Sequence, residues 1–284
     1  MDGDDVPYCY QCIEEHRSGR GIQSYYYRPE PIFHGEGKRY FGVELEIDDG
    51  GESDSVADKL LSISNENGDY IYIKHDGSLD DGMEIVTHPM TLDFHKNTMP
   101  WEDVTQEALR QGYYSHQAET CGLHVHVNRN SLGDTTAAQE DNIARVLFFV
   151  ETHWNELLRF SRRTQRQLNK WAARYGRKDS PKEVLDIAKH SGGSRYTCVN
   201  LTNHDTIEFR IFRGTLKVNT LLATLELVEA ICGLAVSVDD ATMQTMSWTS
   251  FVAALPEERY PELVQYLKER RLYVSEPVEV EDEK

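Results

Sequence analysis

Acidic residues and imidazoles recur at alternate positions in short segments of this 284-residue chain. In a β-strand, side chains two residues apart point to the same face, so an alternating segment places its polar side chains together. The segment GLHVHVN puts His124, His126 and Asn128 on one face and apolar residues on the other. A face of two imidazoles and an amide is a poor core, but it suits the binding of a cation or a charged substrate.

Three further segments, FGVELEI, GMEIVT and TIEFRIF, show the same alternation with charged residues on the polar face. Their polar positions are Glu44, Glu46, Glu84, Glu208 and Arg210. If the four strands share one sheet, four carboxylates converge near His124, where they raise each other's pKa unless cations bind between them. Because Mg²⁺ prefers oxygen ligands and often binds substrate phosphates as well, the pattern predicts two Mg²⁺ ions that bridge a polyphosphate.

Arginines near the last of these segments could neutralise a phosphoryl group during its transfer. They are Arg195, Arg210 and Arg213. Arg213 follows Arg210 out of phase with the alternation, so it reaches the site only if the strand ends or bulges near Phe212. A basic stretch with Arg162, Arg163, Arg166 and Lys170 is predicted to be a solvated helix face, with a docking surface for an acidic substrate as the alternative.

Composition and net charge disfavour several classes of protein. The formal net charge of -18 and the pI near 5.0 disfavour binding to nucleic acid, whose backbone the protein would repel. Hydrophobic residues make up 39% of the chain, enough for a packed core. We find no uninterrupted apolar run long enough to span a bilayer, and the start MDGDDVPYCYQC does not resemble a signal peptide. These features favour a cytoplasmic protein without a membrane partner, and they leave the oligomeric state open.

Five cysteines, an odd number, argue against a disulfide framework. Cys9 and Cys12 form a CxxC pair that could bind Zn²⁺ if His16, His34 or a partner chain completed the tetrahedral site. The alternative is a pair with no metal. Two further cysteines lie beside the polar segments on their packing faces, where we expect small core residues; they are Cys121 and Cys198.

The order of the predicted elements indicates one main domain with two appendages. Residues 1–38 lack periodicity and are predicted to form an N-terminal arm, residues 39–272 a catalytic domain, and residues 273–284 an acidic tail. Helices are predicted from Pro89 to about Gly112, over residues 137–160, and over the apolar stretch that follows Leu216. Strands paired as hairpins with helices between them predict an α+β fold, an antiparallel sheet covered by helices on one face.

The motifs, taken in order, resemble those of the amidoligase family in the glutamine-synthetase-like carboxylate–amine ligase superfamily. The matching segments are GVELE (42–46), DGSLDDGMEIVT (76–87), GLHVHVN (122–128), RYTCVNL (195–201) and TIEFRIFRGTL (206–216). The resemblance spans about residues 39–235. It implies a curved antiparallel sheet, like that of the glutamine synthetase catalytic domain, with a funnel-shaped active site on its concave face.

The resemblance also implies roles for individual residues. The implied metal ligands are Glu44, Glu46, Glu84, His124 and Glu208, and Arg210 is implied to contact the transferring phosphate. Beside Arg210, the candidate catalytic residues are Arg213 and His126. The candidate cofactor-binding residues are Lys74, Asn128, Arg195 and Asn200. His126 and Asn128 could instead orient a metal ligand through hydrogen bonds.

The implied reaction joins a carboxylate and an amine with ATP and Mg²⁺. The carboxylate attacks the γ-phosphate to give an acyl phosphate and ADP, and the amine then displaces phosphate to form the amide. The substrates could include a peptide or protein terminus. The CxxC arm resembles small zinc modules of relatives encoded by phages and mobile elements.

Two other functions remain open from the sequence. A metallohydrolase could bind zinc through HxH and nearby acids, although four glutamates and several arginines suit phosphate chemistry better. A non-catalytic interaction protein of a phage or mobile element would use the CxxC arm for docking and would not bind nucleotide. Each polar motif alone is also common on ordinary solvated strands, so the ligase hypothesis depends on all four occurring together.

Overall fold

This computed structural model describes residues 21–190 and 194–273 of the chain. The predicted zinc ligands Cys9, Cys12 and His16 lie outside the described residues, as do residues 274–284 of the predicted tail. The described residues form a mixed α/β structure, in which one sheet is combined with helices.

The sheet has seven strands among the described residues. They are β1 (Ile22–Gln23), β2 (Phe41–Ile47), β3 (Ile71–Lys74), β4 (Met83–Thr87), β5 (Gly122–Asn128), β6 (Val199–Asn200) and β7 (Thr206–Arg213). Their order across the sheet is β1-β3-β4-β2-β5-β7-β6. Strand β1 is parallel to β3, and every other neighbouring pair is antiparallel. The predicted combination of a mainly antiparallel sheet with helices is therefore confirmed, and the first strand comes from the predicted N-terminal arm.

The helices lie between and after the strands. They are α1 (Asp54–Ser64), α2 (Leu92–Asn97), α3 (Trp101–Arg110), α4 (Thr136–Thr152), α5 (Trp154–Ser161), α6 (Gln165–Trp171), α7 (Pro181–His190), α8 (Val218–Ser237), α9 (Asp240–Thr245), α10 (Trp248–Ala253) and α11 (Pro261–Glu269). The single helix predicted over residues 137–160 is wrong, because His153 leaves helical geometry with φ −103° and ψ 32°. The stretch after Pro89 is also divided in two, since Pro100 disfavours helical geometry in the residue before it.

The apolar faces of the strands form the core. Val43, Leu45, Val125 and Phe209 are fully buried, as the alternation in their segments predicts. They belong to the same hydrophobic cluster as the buried residues of α8. One face of the sheet is therefore committed to packing, and the polar side chains must lie on the other face.

Helix α8 is apolar nearly all round. It is the one helix in the described part of the chain that is long and apolar enough to cross a membrane, yet 72% of its most apolar window is buried inside the fold. Burial of this kind is typical of a core helix.

A β-bulge interrupts the pairing of β5 with β7. Leu123 lies opposite Phe212 while Val125 lies opposite Phe209, so β7 has one more residue than β5 in this interval. The extra residue shifts the alternation of side chains between the two faces by one position. Arg213 consequently pairs with Gly122. Arg213 is thereby placed on the polar face of the sheet, as the sequence predicts for a strand that bulges near Phe212.

Candidate active site

The pairing of the central strands brings the predicted metal ligands together. Glu44 lies opposite His124, and Glu46 lies opposite Glu84. Glu208 lies opposite His126 on the next strand. All five predicted ligands, Glu44, Glu46, Glu84, His124 and Glu208, line one cavity of about 180 Å³, here called the acidic cavity. The convergence expected from the sequence is thus the arrangement that the sheet produces.

His124 stands between two sets of carboxylates. Its Nδ1 atom lies 3.2 Å from Glu44 and 3.8 Å from Glu208, and its Nε2 atom lies 3.9 Å from Glu46. One set of possible ligands is Glu44, His124 and Glu208, and the other is Glu46, Glu84 and His124, with the ligand atoms of each set within 4.8 Å of one another. One imidazole therefore presents a nitrogen to each set.

Glu84 is a carboxylate in an unfavourable place. Burial raises its pKa well above the usual value, and the nearby charges of Glu44 and Glu46 raise it further. Lys74 lies 3.9 Å away, too far for a good ion pair, and burial lowers the pKa of its own ammonium group. The protein's own cations therefore do not balance the negative charge around Glu84.

Glu44 has a different environment, made by the two histidines. Burial opposes its ionisation, but the neighbouring imidazoles of His126 and His124 outweigh burial and hold its pKa well below the usual value. The pKa of His126 is raised: burial opposes protonation, and the attraction of Glu44 exceeds that effect. The Nε2 atom of His126 lies 3.2 Å from Glu44 outside hydrogen-bond geometry, so it is buried without a hydrogen bond. His126 thus acts on Glu44 through charge, while its Nδ1 atom lies 3.2 Å from Thr206.

Glu208 is held by side chains of three kinds. Asn200 and Asn203 donate hydrogen bonds to it at 2.8 and 3.2 Å, and Arg210 forms an ion pair with it. Burial opposes its ionisation, but His126 and the other positive groups lower its pKa overall. Asn200, predicted to bind a cofactor, is therefore placed in the acidic cavity with its amide directed at a predicted metal ligand.

Cations and aromatic rings line the outer part of the acidic cavity. Arg195 donates hydrogen bonds to the hydroxyl groups of Tyr25 and Tyr196. Lys74 lies over the ring of Tyr25 at 5.5 Å, and Arg210 lies over the ring of Tyr196 at 5.9 Å. Two of the three arginines predicted to neutralise the phosphoryl group, Arg195 and Arg210, therefore line this cavity together with Lys74, a predicted cofactor-binding residue.

Asn128 lies elsewhere. It accepts a hydrogen bond from the Tyr40 backbone and donates one to the Lys38 carbonyl, at 2.9 and 3.0 Å. It lines a neighbouring cavity of about 380 Å³, which shares Glu44 and His126 with the acidic cavity but is mostly apolar. Its amide positions the start of β2, and its role in binding a cofactor stays a prediction.

Arg213 also lies outside the acidic cavity, although the bulge places it on the polar face of the sheet. The arginine that lines the cavity at this end is Arg163, from the turn after α5. Arg163 is close enough to Arg210 and Arg213 for their charges, together with burial as the larger cause, to lower its pKa to about 10. The predicted solvated face therefore contributes one arginine to the site, which the sequence pattern did not distinguish from its neighbours.

A glycine makes room for Arg163. A Cβ atom added to Gly122 would lie 2.5 Å from Arg163 Nη2, 2.8 Å from His124 Nε2 and 3.3 Å from Glu46 Oε2. The Gly122 backbone N–H also donates a hydrogen bond to Glu46. Gly122 at the start of an otherwise bulky strand is the one sequence signal for this close approach.

Other cavity residues come from segments with no periodic pattern. Tyr25 and Arg28 belong to the predicted arm, and Thr120 to the loop before β5. The loop between β3 and β4 supplies Asp76 and Ser78, and buried Asp48 fixes this loop by accepting hydrogen bonds from the backbones of Asp80 and Asp81 at 3.0 and 2.7 Å. The walls of the cavity are therefore built from the loops around the polar face.

Comparison with known proteins agrees with the motifs. The family described as "Putative amidoligase enzyme" matches residues 61–232. The chain belongs to this family. The matched residues of this amidoligase include Glu84, His124, Glu208 and Arg210, and β2, with Glu44 and Glu46, pairs directly with two of the matched strands. Family membership supports a ligase that joins a carboxylate and an amine.

A solved structure and the curated proteins add little to this assignment. The crystal structure of a bifunctional glutathione synthetase from Pasteurella multocida is similar to this amidoligase with a TM-score of 0.47 and 14% sequence identity. The similarity covers 82% of this chain and 46% of that chain, so the chain spans less than half the length of that protein. No curated protein matches the sequence.

Proposed function

We propose that this amidoligase is an ATP- and Mg²⁺-dependent carboxylate–amine ligase that acts through an acyl phosphate. The observation that carries the proposal is the position of His124 between two carboxylate sets, each compact enough to surround one ion. Two ions side by side are suited to holding a polyphosphate and neutralising the charge that develops on its oxygens.

The ligand atoms fit Mg²⁺ better than a softer metal. Together the two sets offer four carboxylates and one imidazole, and Mg²⁺ prefers such hard oxygen ligands. Glu44 and Glu208 would hold one ion and Glu46 and Glu84 the other, and the single free nitrogen of neutral His124 would serve one of the two ions. Bound Mg²⁺ would supply positive charge for the phosphate oxygens and would relieve the repulsion among the buried glutamates.

The protein's own cations would complete the binding of phosphate. Arg210 is oriented by its ion pair with Glu208, and Lys74 and Arg195 lie over aromatic rings on the cavity wall. Fixed positive groups aimed at the transferring phosphoryl group stabilise the transition state without reorganisation. Arg163, half-buried beside Gly122 in the cavity wall, adds a charge that the sequence did not predict.

The proposed reaction has two steps. A carboxylate oxygen forms a bond with the γ-phosphorus as the bond to ADP breaks, and the product is an acyl phosphate. The amine nitrogen then attacks the acyl carbon, phosphate leaves, and the nitrogen loses a proton to give the amide. Neither step requires a nucleophilic side chain, so the protein contributes mainly positioning and charge. We assign His126 to positioning Glu44, from which it lies 3.2 Å.

The proposed catalytic domain comprises residues 39–272 with a glutamine-synthetase-like sheet. Residues of the arm add β1 to this sheet, and Tyr25 and Arg28 add to the cavity wall. The arm is thus proposed to be part of the working site rather than a separate appendage.

The metallohydrolase alternative is less well supported by the ligand sets. A zinc hydrolase built on HxH would use both imidazoles for one ion. Among the described residues, neither set contains both His124 and His126, and each set has two carboxylates. We therefore favour the ligase.

The test is ADP formation that depends on both substrates. Purified protein is incubated with ATP, Mg²⁺ and pools of amines and carboxylic acids, and the pools that raise ADP release above the rate with ATP alone are fractionated. Glu84→Gln serves as the inactive variant and exposed Glu102→Gln as its matched control. Equal ADP release by wild type and Glu84→Gln, or a thermal shift that does not respond to ATP with Mg²⁺, would contradict the proposal.

A further inference from the structure

Several arginines beside the acidic cavity lack acidic partners. Within residues 21–190 and 194–273, Arg162, Arg163, Arg213 and Arg270 have no carboxylate oxygen within 4.0 Å. Some other arginines without a carboxylate partner, such as Arg129 and Arg195, donate instead to several carbonyl or hydroxyl oxygens. The chain has 48 acidic and 30 basic residues, so acidic partners are abundant. Guanidinium groups held close together repel one another, and a bound anion would relieve that repulsion.

An aromatic contact gathers three of these arginines from separate elements. The ring of Phe160 packs against Phe212 with centroids 6.0 Å apart and against Tyr266 with centroids 4.7 Å apart. Arg213 directly follows Phe212, and Arg162 follows Phe160 by two residues. These residues belong to α5, β7 and α11, which the contact holds together.

The third arginine is attached to the same contact. Arg270 follows Tyr266 by four residues, about one helical turn, and donates a hydrogen bond to the Arg159 carbonyl at 3.0 Å. The Tyr266 hydroxyl donates to the Phe160 carbonyl at 3.0 Å. The arginine cluster, defined as Arg162, Arg213 and Arg270, is thus built on rigid elements and remains half-buried.

Polar atoms within the cluster lack partners. The Nε atoms of Arg213 and Arg270, and the Nδ1 atom of the adjacent His116, are buried without a hydrogen bond among the described residues. Burial lowers the pKa of His116 to about 4, and the charges of all three arginines contribute, which places them around one imidazole. Buried donors without partners are rare in folded proteins, so each calls for an explanation.

Arg162 adds a second unusual feature. It ends α5 in the left-handed conformation with φ 60°, a position usually taken by glycine or asparagine. Most residues avoid this backbone conformation, so the local structure that holds Arg162 in it also sets the direction of its side chain. Such positions are found where the surrounding structure requires a particular side-chain placement.

We propose that the arginine cluster is a subsite for a carboxylate of the substrate, so that this ligase acts on a molecule with a second acidic group besides the reacting one. The subsite lies next to the inner end of the acidic cavity, since Arg213 pairs with Gly122 and Gly122 borders Arg163. The planar fork of each guanidinium matches a carboxylate in two parallel hydrogen bonds. This inference rests on the proposed function for the identity of the substrate, but the binding of a carboxylate can be measured without the reaction.

The experiment is a calorimetric titration of the full chain with glutarate at constant ionic strength, with inorganic phosphate as a second probe. We expect glutarate to bind the wild type and to bind the double variant Arg162→Gln with Arg270→Gln at least tenfold more weakly. Exposed Arg166→Gln, from the same basic stretch, should bind like the wild type. Arg270→Lys in place of Arg270→Gln should recover part of the affinity for glutarate. Lysine restores the positive charge but not the planar guanidinium that forms two parallel hydrogen bonds.

The outcomes separate this inference from the proposed function. Unchanged glutarate affinity in the double variant, no glutarate binding by the wild type, or phosphate binding more tightly than glutarate would overturn the subsite. If amide replacement of the acidic residues in 276–283 markedly raised glutarate affinity, the occupant would be the chain's own tail, which also overturns it. Mg²⁺ binding is titrated in parallel: its loss in the double variant would indicate misfolding, and Arg213→Gln would then replace that variant. Glutarate binding without any ADP formation would leave the subsite standing and remove the ligase.

Discussion

Two groups of buried glutamates in this protein have opposite relations to positive charge. On helix α8, Glu226 is fully buried and forms an ion pair with Lys96 at 2.6 Å, although the angle lies outside hydrogen-bond geometry. Its neighbour Glu229 lies 2.8 Å from Arg39 and 2.7 Å from Arg259. Each acid on this helix is therefore matched by a cation from another element.

In the acidic cavity, within the described part of the chain, only Glu208 has such a match, with Arg210, and the other three glutamates lack one. Glu44 and Glu46 have histidines as their only ion-pair partners among the described residues, and Lys74 approaches Glu84 no closer than 3.9 Å. A buried ion pair needs close geometry to offset the cost of desolvation. Burial of a carboxylate therefore does not by itself predict a metal site, whereas a shortage of matched cations favours one.

The largest expected effect comes from breaking a matched pair. Lys96→Met would leave Glu226 charged and unpaired in the core, so we expect the free energy of unfolding to fall by about 3–5 kcal/mol. Urea denaturation would measure this. Lys189→Met is the matched control, because its pair with Glu140 is exposed and its loss should cost no more than about 1 kcal/mol. Similar losses of unfolding free energy in the two variants would mean that burial does not change how much an ion pair contributes to stability.

In the acidic cavity, the corresponding change should spare the fold and remove the activity. Glu84→Gln takes away one of the crowded charges, so the free energy of unfolding in EDTA should stay the same or rise. The rate of ADP formation should fall by about 100-fold or more, the usual cost of losing one group that stabilises the transition state. A variant that unfolds more readily without metal would show that Glu84 has a structural role like that of Glu226.

Mg²⁺ itself should stabilise the protein through the acidic cavity. A ligand that binds only the folded state at 100 times its Kd adds about 2.7 kcal/mol, which appears as a rise in Tm. We expect this rise in the wild type and in Glu102→Gln, and its loss in Glu84→Gln or when EDTA is added. An equal rise in Glu84→Gln would place the bound ion outside the carboxylate sets.

The smallest expected effect concerns two glycines on the polar face. Gly122→Ala would press a methyl group against Arg163 and His124, so Mg²⁺ affinity should fall by about 10–100-fold, as for other changes that disturb the orientation of a metal ligand. Gly42→Ala is the control, since its Cβ atom would meet only His126 Cβ at an ordinary 3.5 Å. Isothermal titration with Mg²⁺ would compare them, and equal affinities would show that His124 does not depend on the space at Gly122.

Much of the acidic cavity could be predicted because strand periodicity is local. Alternation alone places Glu44, Glu46, His124 and Glu208 on polar faces. The family match covers the strands of His124 and Glu208. The roles of these residues in metal binding and catalysis stay predictions until they are tested. The arginines were harder to predict, because a bulge moves Arg213 and a turn after α5 directs Arg163 inward. Such features depend on contacts between elements distant in the sequence.

The sequence by itself determined which side chains share a face, because the two-residue period of a strand is a property of the backbone. It also determined that carboxylates outnumber cations in the chain as a whole. Which carboxylates obtain a matching cation depends on the folded arrangement, since Lys96 reaches Glu226 across the fold while Glu44 meets His124 across the sheet. The interaction between two charges weakens with the distance between them and strengthens when they are buried, and both distance and burial are set by packing rather than by order along the chain.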